Sequence, residues 1–167
     1  NEKKSAVDFV FNRKFLGFSF TPCEHAKLRA APKSKEKVKT NIRKLTTRSN
    51  CISMKNLLEE LNTYTQGWLL YFGITREAKF FGKLDKWIMF RLRMCQLRQW
   101  KSNKTMLRNL VKLGMNKEMA TRIAYSCKQY CKLASEPQIK KTLNLAFWKK
   151  QEFIPLLNKN RKMPESL

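Results

Sequence analysis

Along this chain a short stretch of near-alternating apolar positions gives way to a long one of helical spacing. Residues 15–20 ("FLGFSF") alternate loosely, Thr21-Pro22 marks a turn, and Lys27 to Ala31 returns before Pro32. That pattern predicts a small β-hairpin, whose ordinary role is to pack on a helix. Gly17 inside it predicts a bulge or a close approach of backbone to a partner. Ser34 is then a candidate N-cap for a helix to about Arg48, with Val38, Ile42 and Leu45 at i, i+4 and i+7. Ser53 caps a second helix ending at Gly73. On it Leu57, Leu61, Tyr64, Trp68, Tyr71 and Phe72 share one side, while Glu59, Glu60, Asn62 and Gln66 point away. Gly67 within this helix predicts a close contact, with a partner helix or with RNA.

Thr75 is the candidate cap of the longest helix, over about residues 76–101, where Phe80, Leu84, Trp87, Ile88 and Cys95 form a broad face. Met89, Phe90 and Leu97 carry apolar character round its back. Shorter amphipathic pieces follow, one closed by Gly114, one capped by Asn116 and one by Ser135. After Phe153 the pattern decays into "PLLNKNRKMPESL", which reads as a loose basic tail. The expected fold is mainly α: a basic bundle of about six helices, preceded by a short β-hairpin.

Charge narrows the picture. Lys+Arg number 36 against 12 Asp+Glu, a formal net charge of +24 on 167 residues, yet 43% of the residues are apolar. So many apolar residues indicate a folded core rather than a disordered basic tail. A folded domain with this imbalance repels itself unless a polyanion neutralises it, and nucleic acid is the leading candidate. An anionic membrane surface is the lesser alternative, because no stretch resembles a transmembrane span, a signal peptide or a lipidation site. The first predicted helix concentrates the effect. Lys35, Lys37, Lys39, Arg43, Lys44 and Arg48 surround its narrow apolar stripe, with Glu36 the one acid among them. Like charges at that spacing destabilise an isolated helix, a penalty that a phosphate backbone alongside would reverse. Arg91 and Arg98 fall in an apolar sector of the long helix. They are expected either to snorkel or pair with Glu59, Glu60 or Asp85, or to emerge on a groove that holds phosphate.

The chemistry that is missing matters as much. Five cysteines (Cys23, Cys51, Cys95, Cys127 and Cys131) form an odd set without a secretory signal, which favours reduced thiols and a cytoplasmic location. Zinc would need two ligands beyond Cys127 and Cys131, and the single histidine, His25, is far off in sequence; the cysteines read as small core residues. The two aspartates, Asp8 and Asp85, have no acidic neighbour, so the carboxylate cluster of two-metal phosphoryl transfer cannot be assembled. No glycine-rich phosphate loop and no Ser/His/Asp triad is present either.

The segment "NEKKSAV…RKFLGFSF" (1–20) resembles the closing part of the palm of a group II intron-encoded reverse transcriptase, where an N-x-x-K-S motif precedes a primer-grip K-F-L-G-F. "IRKLTTRS" (42–49), "LNTYTQGWLLYFG" (61–73), "LDKWIMFRLRMCQLRQWK" (84–101) and "LVKLGM" (110–115) resemble, in order, the maturase-specific thumb of that family. The likeness runs from residue 1 to about residue 150. One departure is "KQYCK" (128–132), where relatives usually carry Gly-x-Trp-Arg and Cys131 stands at the tryptophan. The chain opens on Asn1, and the resemblance puts fingers and the metal-binding Tyr-Ala-Asp-Asp loop upstream of it.

The resemblance divides the chain into a palm remnant (1–33), a helical maturase-specific thumb (34–153) and a basic tail (154–167). It makes Phe15, Leu16, Gly17 and Phe18 a primer-grip-like element, with Phe15 and Phe18 packing it onto palm and thumb. The expected function is RNA binding in support of group II intron splicing, the alternative being a polymerase thumb that works only with its fingers and palm. Lys35, Lys37, Lys39, Arg43, Lys44 and Arg48 would contact RNA, extended by Arg91, Arg93, Arg98, Lys101, Lys104 and Arg108. The implied partners are structured intron RNA and a template-primer duplex. No cofactor is expected in this segment, and Mg²⁺ is expected only for the intact polymerase or the intron RNA.

Overall fold

The computed structural model describes residues 9, 13–22, 26–47, 52–75, 77–126 and 129–157. The expectations for Cys23, His25, Arg48, Cys51, Cys127 and residues 158–167 lie outside them.

The hairpin forms, and it is shorter than its pattern. Strands β1 (Phe18–Phe20) and β2 (Leu28–Ala30) pair antiparallel, with Phe18 opposite Ala30, Ser19 opposite Arg29 and Phe20 opposite Leu28. Before β1 the chain turns tightly: Phe15 and Phe18 exchange both backbone hydrogen bonds, at 3.0 and 2.8 Å. Leu16 and Gly17 between them have φ of 47° and 83°, the double positive φ that a type I′ turn requires. The close approach expected at Gly17 comes from the chain itself. Its carbonyl accepts the N–H of Ala31 and the hydroxyl of Ser34, and a Cβ there would meet Ser34 Oγ at 2.9 Å and the Phe72 ring at 3.2 Å.

Eight α-helices follow among the described residues: α1 (Pro32–Leu45), α2 (Met54–Phe72), α3 (Ala78–Gln99), α4 (Asn103–Lys112), α5 (Lys117–Tyr125), α6 (Tyr130–Ser135), α7 (Pro137–Thr142) and α8 (Leu145–Lys150). Ser53 and Asn116 cap α2 and α5 through their side chains, as their positions predict, and Gly114, at φ 88°, turns the chain after α4. Three expected caps are corrected. α1 begins at Pro32, whose fixed φ and missing N–H suit the first helical position, so Ser34 lies inside the helix and bonds Gly17 instead. Thr75 donates to the Phe72 carbonyl in a short 3₁₀ turn over Gly73–Thr75, leaving Glu77 before α3. Ser135 donates to the Cys131 carbonyl and ends α6 rather than starting the next helix.

α3 lies at the centre, with Leu84, Ile88, Leu92 and Leu97 all but inaccessible. It packs against α6, and its Arg91 and Cys95 reach Thr46 at the end of α1. Trp148 of α8 is fully buried and donates its indole N–H to the Leu143 carbonyl. Gly67 has nothing within 4 Å of a built Cβ, so the expected close helix contact is absent there. Cys95 is buried as a core residue, whereas Cys131 is exposed, against expectation.

Residues 154–157 of the expected loose tail are bound into the fold. Phe153 and Leu156 are buried, and both oxygens of Asp85 on α3 accept backbone N–H groups, from Leu156 at 2.9 Å and Leu157 at 2.8 Å. The Asn62 side chain on α2 brackets the same segment, donating to Glu152 O and accepting from Ile154 N. Burial raises the Asp85 carboxyl above its ordinary 3.8, opposed by the N–H groups of Leu157 and Leu156.

Gly17→Ala should lose roughly 1–2 kcal/mol in urea unfolding, since an alanine there is strained by its φ as well as crowded. Because Asp85 has a raised folded pKa, its folded form holds its proton at pH values where the unfolded chain has released it. The carboxyl's contribution therefore declines as pH climbs from about 4 through the folded pKa. Unfolding curves between pH 4 and 7 should accordingly show the stability of wild type relative to Asp85→Asn greatest at the acid end and declining upward.

Candidate nucleic-acid interface

Val38 and Ile42 are fully buried and fix which side of α1 faces the core. Lys37, Lys39, Arg43 and Lys44 are consequently turned to solvent, and Lys37 and Lys39 have no acidic partner among the described residues. Lys35 differs from them. It forms an ion pair with Glu77, whose other oxygen accepts the Ala30 N–H, and its ammonium stands 4.9 Å from the Phe80 ring centroid. It fastens α1 and the hairpin to the start of α3, so its charge is already partly met.

At the far end of α1 a cluster of arginines gathers. Arg91 on α3 donates from Nε to Thr46 Oγ1 at 2.9 Å and from Nη2 to the carbonyls of Thr46 at 3.1 Å and Arg43 at 3.4 Å. Arg91 pairs with none of Glu59, Glu60 and Asp85; it satisfies the last carbonyls of α1, where a cation is favoured. Burial lowers its pKa, and the positive charges of Arg98 and Arg43 add to that. Arg43 also lies over the Trp87 ring at 5.4 Å. Arg98 continues the run with Lys101 into a cleft of about 570 Å³ between the end of α1, the start of α2 and Tyr130 of α6. Thr47, Ser53 and Gln99 supply that cleft with hydrogen-bonding groups.

Lys104 and Arg108 are exposed on α4, the helix that packs on α5. Arg93, expected on the same surface, is drawn inward: it is 7% exposed and donates from Nε to the Ala134 carbonyl at 2.9 Å. A second cleft of about 670 Å³ adjoins it, rimmed by Lys83, Lys86 and Lys140, which the expected interface omitted. The spacing of Lys83, Lys86, Phe90 and Arg93 along one α3 stripe carries that signal in the sequence; Lys140, a sequence-distant residue, has none.

In the primer-grip-like element, Phe18 packs on the Tyr71 and Phe72 rings, with centroids 5.2 and 5.0 Å away, and the Tyr71 hydroxyl donates to the Leu16 carbonyl. Phe15 and Leu16 stand out into solvent, 77% and 68% exposed. Phe18 thus mounts the turn on α2, while Phe15 packs on nothing comparable among the described residues.

Residues 35–114, from the first turn of α1 to the glycine that follows α4, match the family model of the group II intron maturase-specific domain. This stretch belongs to that family. The match supports a maturase role in group II intron splicing. The hairpin and α5–α8 lie outside the matched stretch. No curated protein matches the chain. Within the maturase domain, the exposed cations of α1 and the arginine cluster lie on the matched helices. Among the described residues, no three His, Cys, Asp or Glu side chains group as a metal site, and no helix is long and apolar enough to cross a membrane.

Arg91→Ala in the maturase domain strands the α1 carbonyls and should lower the unfolding free energy by about 1–3 kcal/mol in urea titration. Lys37→Ala should stay within about 0.5 kcal/mol of wild type in the same assay.

Proposed function

We propose that the chain is an RNA-binding module that assists group II intron splicing by holding folded intron RNA through its phosphates. One observation carries the reading: the helices matched to the maturase-specific family are those bearing Lys37, Lys39, Arg43 and Lys44 on an exposed face, with Arg98 and Lys101 at their junction. Contacts of this kind carry no sequence information, so RNA shape would supply the specificity. The intron would adopt its active fold because the protein binds that state better than its competitors. Arg91 and Lys35 would act in this surface as braces. The partners are structured RNA rather than a membrane, in a reducing cytoplasm that keeps Cys95 and Cys131 as the free thiols they are here.

In this reading the chain does not polymerise by itself. Asp85, the one described aspartate, has both oxygens engaged by backbone N–H groups of the segment after α8. Mg²⁺ belongs to the intron RNA, or to an intact polymerase of which this would be the thumb. The exposed turn at Phe15 and Leu16 favours that second reading, a grip on a template-primer duplex. Splicing of a group II intron by the chain, against primer extension only after fusion to fingers and palm, separates the two.

RNA affinity is expected to fall steeply between about 50 and 200 mM salt, and each phosphate-contacting residue removed among Lys37, Lys39 and Arg43 should flatten the log–log slope by about one unit or slightly less. A flat salt dependence in filter binding would refute the reading.

A further inference from the structure

The cleft between α3 and α7–α8 has an unusual floor. Arg93 is 93% buried by its 7% exposure, and its one hydrogen bond runs from Nε to Ala134 O. Its two Nη groups have no hydrogen-bond partner among the described residues, and no carboxylate lies within ion-pair range of them. The Nη groups are not among the fully buried unsatisfied atoms, so they keep contact with solvent at the cleft, where a charge-assisted bond to an anion is open to them. Burial lowers the Arg93 pKa, without an acid to oppose it. The rim adds charge of the same sign, from Lys83, Lys86 and Lys140. Four cations line one concavity whose lining includes no carboxylate, a charge balance that suits an anion.

The rest of the lining narrows the class of anion. Phe90, Met89 and Leu145 form an apolar wall, and Ser135 and Asn144 provide neutral polar groups beside it. About 670 Å³ is far more than a bare phosphate occupies and lies within the range of small-molecule pockets. A planar guanidinium whose Nη1/Nη2 edge is free suits a phosphate oxygen pair, and an aromatic wall next to it suits a base. Trp87, also in the lining, carries Arg43 over its ring, which connects the cleft to the arginine cluster at the end of α1.

We propose that this cleft is a pocket for one unpaired nucleotide of the bound RNA, its phosphate on Arg93 and the rim lysines and its base against the Phe90 wall. The assignment rests on the RNA-binding reading above. It adds to a surface that follows backbone generally a single point at which the RNA must be unstacked, so a loop or bulge of the intron would be recognised there rather than a helix.

The test titrates the full chain with adenosine 5′-monophosphate and with inorganic phosphate, following amide and arginine side-chain NMR signals. The mononucleotide should saturate a site that includes Ser135 and Asn144 and should bind more tightly than phosphate. Arg93→Lys, which keeps the charge and loses the fork, should weaken it about ten-fold; Lys140→Ala, on an exposed residue, should weaken it too and serves if the Arg93 variant does not fold. Lys37→Ala should leave mononucleotide affinity unchanged, and a single-stranded RNA oligonucleotide should displace the mononucleotide. Absence of saturable binding, indifference to Arg93→Lys and Lys140→Ala, or a mononucleotide that RNA does not displace would each overturn the proposal, the last by marking a free-nucleotide site. If wild type binds RNA with a steep salt slope but no mononucleotide, the pocket alone fails. If it binds the mononucleotide but no RNA, the RNA-binding reading fails and takes the pocket's proposed source with it.

Discussion

The last carbonyls of an α-helix must find donors, and at the end of α1 they find a guanidinium from another helix. Arg91 reaches from α3 to Thr46 and Arg43, while the Thr46 hydroxyl closes back onto the Ile42 carbonyl. This junction decides how α1 lies on the core helix, and therefore which of its lysines face outward. It also explains why a chain of net charge +24 tolerates an arginine in an apolar sector. The cation there is stabilised by peptide dipoles rather than by scarce carboxylates, leaving the acids it does have for other work.

Two of the acids are placed as fasteners. Glu77 holds Lys35 and the β2 backbone together at the head of α3, and Asp85 binds the segment after α8. Neither lies among the outward-facing lysines of α1, whose like charges repel one another. Lys35 and Arg91 are thus paired with an acid or with peptide groups, while Lys37 and Lys39 face solvent with no acidic partner among the described residues.

Much of this was legible from periodicity. The apolar stripe of α2, the Ser53 and Asn116 caps and the glycine after α4 follow from spacing and local chemistry alone. The misplaced caps share a cause: Ser34, Thr75 and Ser135 each donate their hydroxyl to a carbonyl, an option open to any hydroxyl residue that local sequence does not rank. For the candidate interface, the outward lysines of α1 could be read because that helix has one narrow apolar stripe. Arg91 and Arg93 could not, because α3 is contacted on several sides and an arginine on it has no sequence mark for which neighbour it meets. Nor could Gly17's crowding be traced to Ser34 and Phe72, which are distant in sequence, or the burial of Phe153, Pro155 and Leu156 be read from a stretch with no helical period.

The Asp85 fastening bears on how the chain assembles. Its partners lie 71 and 72 residues further along, so during synthesis α3 is complete long before its carboxylate has anything to bind. Loops of that span close slowly relative to local helices. The strap over α2 and α3 is therefore a late step, added to a bundle whose inner helices have already met.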